Sequence, residues 1–369
     1  MLNKGLEQKA TDGGTAVQAG RDVIIIAGID EKRAREIYQE MILQLRREYS
    51  QEALDIANTR VTEFENRLMP KMEEVKGAVE AFADPSFQLL LCEAQKTAAA
   101  TERPADYDIL SELLLHRFLK GGNRFIRAGI NRAVEIVDEI SDDALLGLTV
   151  FHAVSTFTPL SGDLHQGLNV LDNLFGKLFY GKLPTGKDWL DHLDLLDAVR
   201  INSFGSVKTI QDYYPETLAG YVDIGIEKNS GDYEKAVEIL NKNNVSQTIL
   251  VDHAFNNNFM RLNIAKKAHT SHLLLQQSMP NNPTVFFQTP LSEEQRKALD
   301  SIYELYKQDS NMKQQYINLF MEEWNKRPNL KMLREWWDNI GTAVQITAVG
   351  KVLAHSNAQR CDKTLPPMD

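Results

Sequence analysis

His269 and His272 stand three residues apart, a spacing that puts two imidazoles on one helix face and lets them chelate a metal ion. Thr270 and Ser271 lie between them, so no HExxH pattern forms, and Lys266 and Lys267 would repel a cation. A solvated polar face is the plainer account of the pair. His192 sits among Asp188, Asp191, Asp194 and Asp197, with Asp188 one helical turn away. A carboxylate so placed raises an imidazole pKa or shares a metal with it. The same residues also describe an amphipathic helix with Trp189, Leu193 and Leu196 inward and its acids in water, and that reading outweighs the first. His116 and His152 lie on apolar faces and are expected as buried, hydrogen-bonded histidines.

Other chemistry is sparse. No GxSxG elbow occurs. Cys92, within LLLCEA, reads as an inert thiol on a core-like face. The run GKLPTGKD at 181–188 has phosphate-loop spacing, but Asp188 replaces the hydroxyl that would hold magnesium, and no strand precedes it. Asn257, flanked by Asn256 and Asn258, could read a ligand edge; a turn leading into a helix N-cap is the commoner use of such a run. Trp336 and Trp337 are adjacent, so their rings diverge, and one could anchor a partner while the other joins the core. His192, Asn257, His269, His272, Trp336 and Trp337 are therefore the candidate ligand or partner residues. No catalytic, cofactor-binding or metal residue is assigned, and no cofactor is expected.

The elements that carry these residues read as mainly α: a multi-helix bundle or stack with a short N-terminal β-hairpin-like segment. Two short apolar runs, residues 15–19 and the Val- and Ile-rich 23–27, flank Gly20-Arg21-Asp22, a strand-corner-strand pattern. A lone two-stranded ribbon is marginal in water, so Val17, Gln18, Gly20, Arg21, Asp22, Val23 and Ile25 are expected to pair with the same segment of another copy. After Asp30, a helix is expected to about Tyr49, with Ile37, Met41, Ile42, Leu45 and Tyr49 at helical spacing. A second helix follows, broken or kinked at Pro70 before the pattern continues over residues 72–82. Asp84-Pro85 marks a restart, and amphipathic helices with short connections run to residue 157. Beyond it, helices are expected at 164–179, 188–199, 233–240 and 259–277. The proline-rich stretch 279–290 reads as a linker, followed by helices from Ser292, Met312 and Leu330. Residues 344–346 read as extended and Thr347 as the cap of a last helix. The expected organisation is a tail at 1–12, an association element at 13–29, a bundle at 30–157, a second helical unit at 158–290 and a C-terminal region at 291–369.

The chain has 369 residues, 41 Lys and Arg against 51 Asp and Glu, and a net charge of −10. That balance makes nucleic acid an unlikely general partner, although Lys326, Arg327, Lys331 and Arg334 make one end locally basic. Two cysteines, Cys92 and Cys361, fit a reducing cytoplasm. Neither a signal peptide nor a membrane span is read.

The segments AVQAGRDVIIIAGI, DPSFQLLLCEAQKTAAAT, ILSELLLHR, VFHAVSTFTP and ITAVGKVLAHSNA resemble an uncharacterised family of bacterial helical proteins with an N-terminal QAGRD-type strand element. The likeness spans most of the chain and carries no catalytic residues. Gly-Arg-Asp strand elements resemble N-terminal pieces of bacterial conflict and anti-phage proteins, which implies association through that element. The expected function is a non-enzymatic, self-associating helical scaffold or sensor, with a homo-oligomer through 13–29 and a possible protein partner. The alternatives are a nucleic-acid-associated regulator using the C-terminal helices, or a His-dependent enzyme.

Overall fold

The computed structural model describes residues 31–202, 204–279 and 282–368. The association element expected at 13–29 and the tail before it lie outside the described residues. The described chain is mainly α. Its elements run α1 (Glu31–Glu74), α2 (Pro85–Ala100), α3 (Pro104–Lys120), α4 (Arg124–Glu135), α5 (Asp142–Thr156), α6 (Leu164–Leu178), α7 (Asp188–Leu195), β1 (Val199–Asn202), α8 (Ile210–Thr217), β2 (Ile226–Glu227), α9 (Gly231–Lys242), β3 (Leu250–His253), β4 (Asn256–Leu262), β5 (Leu274–Met279), β6 (Asn282–Pro290), α10 (Glu293–Tyr303), α11 (Ser310–Asn325), α12 (Pro328–Trp337), β7 (Ala343–Ile346) and α13 (Ala348–Cys361). The described residues divide into two units, one ending at residue 56 and one beginning at residue 57.

In the first unit, Ile37, Tyr38, Met41, Leu45, Tyr49 and Leu54 of α1 are exposed. In the second, helix starts follow the local chemistry. Asp84 accepts the Phe87 N–H ahead of α2, and Ser141 that of Ala144 ahead of α5. Ser292 and Gln295 form a reciprocal capping box on α10. Thr347 accepts from Gly350 N at the start of α13, as expected, and β7 before it pairs antiparallel with β1. Helix α13 is central. It packs on α3, α4 and α5, and Val352 through Ala358 are all buried. Its entry is tight, because a Cβ on Gly350 would lie 2.0 Å from the Ala198 carbonyl oxygen.

Four expectations are corrected. Pro70 does not break α1; it lies one turn from the helix end, where one lost backbone bond is tolerated. The helix expected at 259–277 is instead β4, a 3₁₀ turn at Lys267–His272 and β5. Strand β4 is central in the order β2-β4-β3 and buries Phe259 and Leu262, so sheet pairing overrides the apolar spacing. The proline-rich 279–290 stretch is no linker: β6 pairs antiparallel with β5, with Thr289 opposite Leu275. Cys92 is exposed, not on a core face.

Candidate functional site

The loop 181–186, the start of α7 and one side of α12 enclose a cleft of about 650 Å³. Its size and composition fit a small-molecule site, mainly apolar with a few polar groups. Trp336, Trp189, Phe179, Met332 and Ile340 supply the apolar surface; Lys182, Thr185, Asn329, Glu335 and Asn339 supply the polar groups.

Each wall is held in place. Trp336 is half-buried, and its indole Nε1 donates to the Pro184 carbonyl at 2.7 Å. The Trp189 ring lies 5.8 Å from it and is buried against α5. Gly147 of α5 makes that possible, since a Cβ there would stand 2.6 Å from the Trp189 ring and 2.9 Å from Pro184. Helix α12 has no cap from its own residues. Asp172 of α6 accepts the Asn329 and Leu330 N–H groups at 3.0 and 3.3 Å, placing a carboxylate at the positive end of the helix dipole. Gly176 lets α6 and α12 approach, as a Cβ there would meet the Asn329 amide at 2.9 Å.

A second polar feature lies between α3, α5 and α13, where His116, His152 and His355 are all buried. Hydrogen-bond direction fixes their tautomers. The Pro366 carbonyl can only accept, so His355 Nε2 donates to it at 3.0 Å and leaves Nδ1 as an acceptor. His152 Nε2 therefore donates to His355 Nδ1 at 3.2 Å, and the Thr156 hydroxyl donates to His152 Nδ1 at 3.3 Å. Gln359 Nε2 also donates to Pro366, which turns its Oε1 toward His116 Nε2 at 3.0 Å. Burial and the neighbouring His355 lower His116 to about 4 and His152 to about 3. His116 and His152 are thereby kept neutral, and the three rings tie α13 to its neighbours and hold the C-terminal segment.

The expected residues do not converge. His192 Nε2 accepts the Ser141 backbone N–H at 3.2 Å, an N-cap contact between α7 and the start of α5. His269 lies in the 3₁₀ turn, buried, with Nε2 at 3.2 Å from the Thr158 hydroxyl. His272 closes the same turn. Asn257 is exposed on β4, so the Asn run starts a strand and not a helix. Trp337 is buried, stacked on Phe151 at 4.5 Å, and donates to the Lys208 carbonyl. Trp336 alone of the six lines the cleft. His116 and His152 are buried and hydrogen-bonded, as the sequence led us to expect; His355 was missed, and the HSN run at 355–357 inside an apolar helix was its signal. No group of three or more His, Cys, Asp or Glu suited to a metal occurs among the described residues. Among them, too, no helix is long and apolar enough to cross a membrane.

A protein-family model described as ":-like" matches residues 28–365. No curated protein and no solved structure matches the chain.

Proposed function

The chain belongs to that family over residues 28–365, and from this premise we propose that it is a non-enzymatic helical scaffold or sensor that takes a small ligand in the Trp336 cleft. The preformed cleft carries the reading. Its indole floor is fixed by the Pro184 bond before any ligand arrives, so binding costs little side-chain ordering. Titration with planar aromatic fragments is expected to quench tryptophan emission with submillimolar affinity. Met332→Trp, which fills the mouth from an exposed position, is expected to remove that response. Unchanged emission with every fragment would remove the proposal.

A second reading, self-association, is favoured by the exposed stripe of Ile37, Met41, Leu45 and Tyr49 on α1. An isolated helix gains most of its stability from packing such a face, and a second copy offers the same face. The stripe follows directly on the 13–29 element, whose pairing between copies belongs to the same proposal. Light scattering on the full chain is expected to give a multimer, and Leu45→Glu with Tyr49→Glu to reduce its mass. A wild-type monomer at micromolar concentration would end this reading.

A role in bacterial defence rests on the QAGRD-type resemblance. A cytoplasmic setting is supported by the unpaired Cys92 and Cys361. The nucleic-acid alternative is weakened by pairing at the basic end: Lys326 meets Glu323, Lys331 meets Glu335, and Arg334 meets Asp338.

A further inference from the structure

We propose that the cleft takes an amino-substituted purine or pyrimidine nucleotide, its ring on the Trp336 indole and its phosphate at Lys182 and the 181–186 loop. This rests on the cleft being a ligand site, and adds the class of ligand.

The two walls differ in hydrogen-bond character. On the α12 side, Asn329 Nδ2 donates to the Asp172 carbonyl at 3.1 Å, and Asn339 Nδ2 donates to the Glu335 carbonyl at 2.6 Å. Asn329 Nδ2 also donates to the Asp172 carboxylate at 3.3 Å, so only its acceptor Oδ1 is left, whereas Asn339 keeps its Oδ1 and one N–H. Glu335, the one carboxylate of the lining, adds acceptor oxygens, one of which also faces Lys331 Nζ at 3.9 Å. Acceptors predominate on this wall, so it favours a ligand edge that donates, as the exocyclic amine of an aminopurine or aminopyrimidine does.

The loop side is the reverse. The backbone N–H groups of Lys182, Thr185 and Gly186 donate to no acceptor among the described residues, and the Lys182 side chain is exposed. Gly186 at φ 78° is followed by Lys187 at φ −112°, ψ −18°, an alternation of handedness that gathers successive N–H groups into an anion-accepting concavity. Donors on one wall and acceptors on the other, across an indole surface, match a planar base joined to an anion. The cleft volume of about 650 Å³ is in the range of sites for molecules of this size. The phosphate-loop resemblance of 181–188 fails in its residues, because Asp188 stands where a magnesium-holding hydroxyl is needed. The loop's placement against the tryptophan is a different basis for the same ligand chemistry.

Calorimetry on the full chain would compare AMP, adenosine, IMP, inorganic phosphate and free arginine. AMP is expected to bind, with adenosine and IMP each about tenfold weaker, as one lost charge-assisted or donor contact implies. Lys182→Gln, a surface change that leaves the fold intact, is expected to bring AMP to the adenosine level while leaving adenosine unchanged. Trp336→Leu is expected to weaken both about tenfold or more, the size of one lost base stack. The proposal is overturned if AMP does not bind, if arginine binds in its place, or if Lys182→Gln leaves AMP affinity unaltered. Where AMP fails but aromatic fragments still quench tryptophan emission, only the ligand class falls; where neither binds, the cleft reading falls with it.

Discussion

At pH 5 the folded chain is expected to be less stable than at pH 7 by about 5 kcal/mol, a large share of the roughly 5–15 kcal/mol typical of a domain. Three buried histidines drive this loss. Burial first, and the neighbouring His355 or the charge of Arg261 second, lower His116 and His253 to about 4 and His152 to about 3. The unfolded chain takes up a proton on each imidazole near its ordinary value of about 6.5, whereas the folded chain refuses it down to these lower values. The stabilisation is complete above the unfolded value and is lost as pH falls toward the folded one, at about 2 kcal/mol per ring by pH 5. The hydrogen bonds explain why the rings stay neutral. A proton on His355 Nδ1 would face the N–H of His152 across 3.2 Å, and a proton on His253 Nδ1 would face the Phe255 N–H across 3.1 Å. Urea unfolding at pH 5, 6 and 7 measures the slope, and His152→Gln is expected to remove about one third of it while lowering stability at pH 7. Equal unfolding free energies at pH 5 and 7 would show that these rings do not carry the coupling.

Helix caps and amphipathic stripes were legible because each is written within a few residues. Asp84, Ser141, Ser292 and Thr347 cap the helices they precede, and the stripe residues Phe87, Leu90 and Ala94 of α2 and Ile109 and Leu113 of α3 are buried. The sheet region was not legible, for a physical reason. The segment Phe259–Gln277 carries apolar residues that satisfy a helical period, but its state is decided by partners distant in sequence, such as Ile226 opposite Met260 and Leu250 opposite Leu262. The cleft escaped for a related reason. Trp336 and the 181–188 run each drew notice singly, but the Trp336–Pro184 bond joins residues 152 apart in the chain. Helix α13 shows a third case. Buried on all sides through Val352–Ala358, it lacks the one-sided pattern that marks a surface helix, so its HSN run reads as polar surface until its partners are known.

Trp324→Ala is expected to cost about 4–6 kcal/mol, from the cavity left by a large buried ring plus one lost indole hydrogen bond. Trp324 is fully buried, stands 4.5 Å from the Tyr214 ring, and donates its indole N–H to the Leu330 carbonyl at 2.7 Å. That bond crosses from α11 to the first turn of α12, the helix that no cap of its own secures and that carries Trp336, Glu335 and Asn339 into the cleft. Trp324→Phe separates the two contributions. It keeps an aromatic ring against Tyr214 but loses the indole N–H bond to the Leu330 carbonyl and part of the ring volume, and is expected to cost about 2 kcal/mol. Denaturant unfolding gives both values, and fragment titration reports whether the cleft follows. Because Asp172 still holds Asn329 and Leu330 from the α6 side, Trp324→Phe is expected to stay folded and to weaken cleft binding only modestly. If Trp324→Ala loses less than about 2 kcal/mol, the α11–α12 junction relaxes around the void and the positioning of Trp336 depends on Asp172 alone.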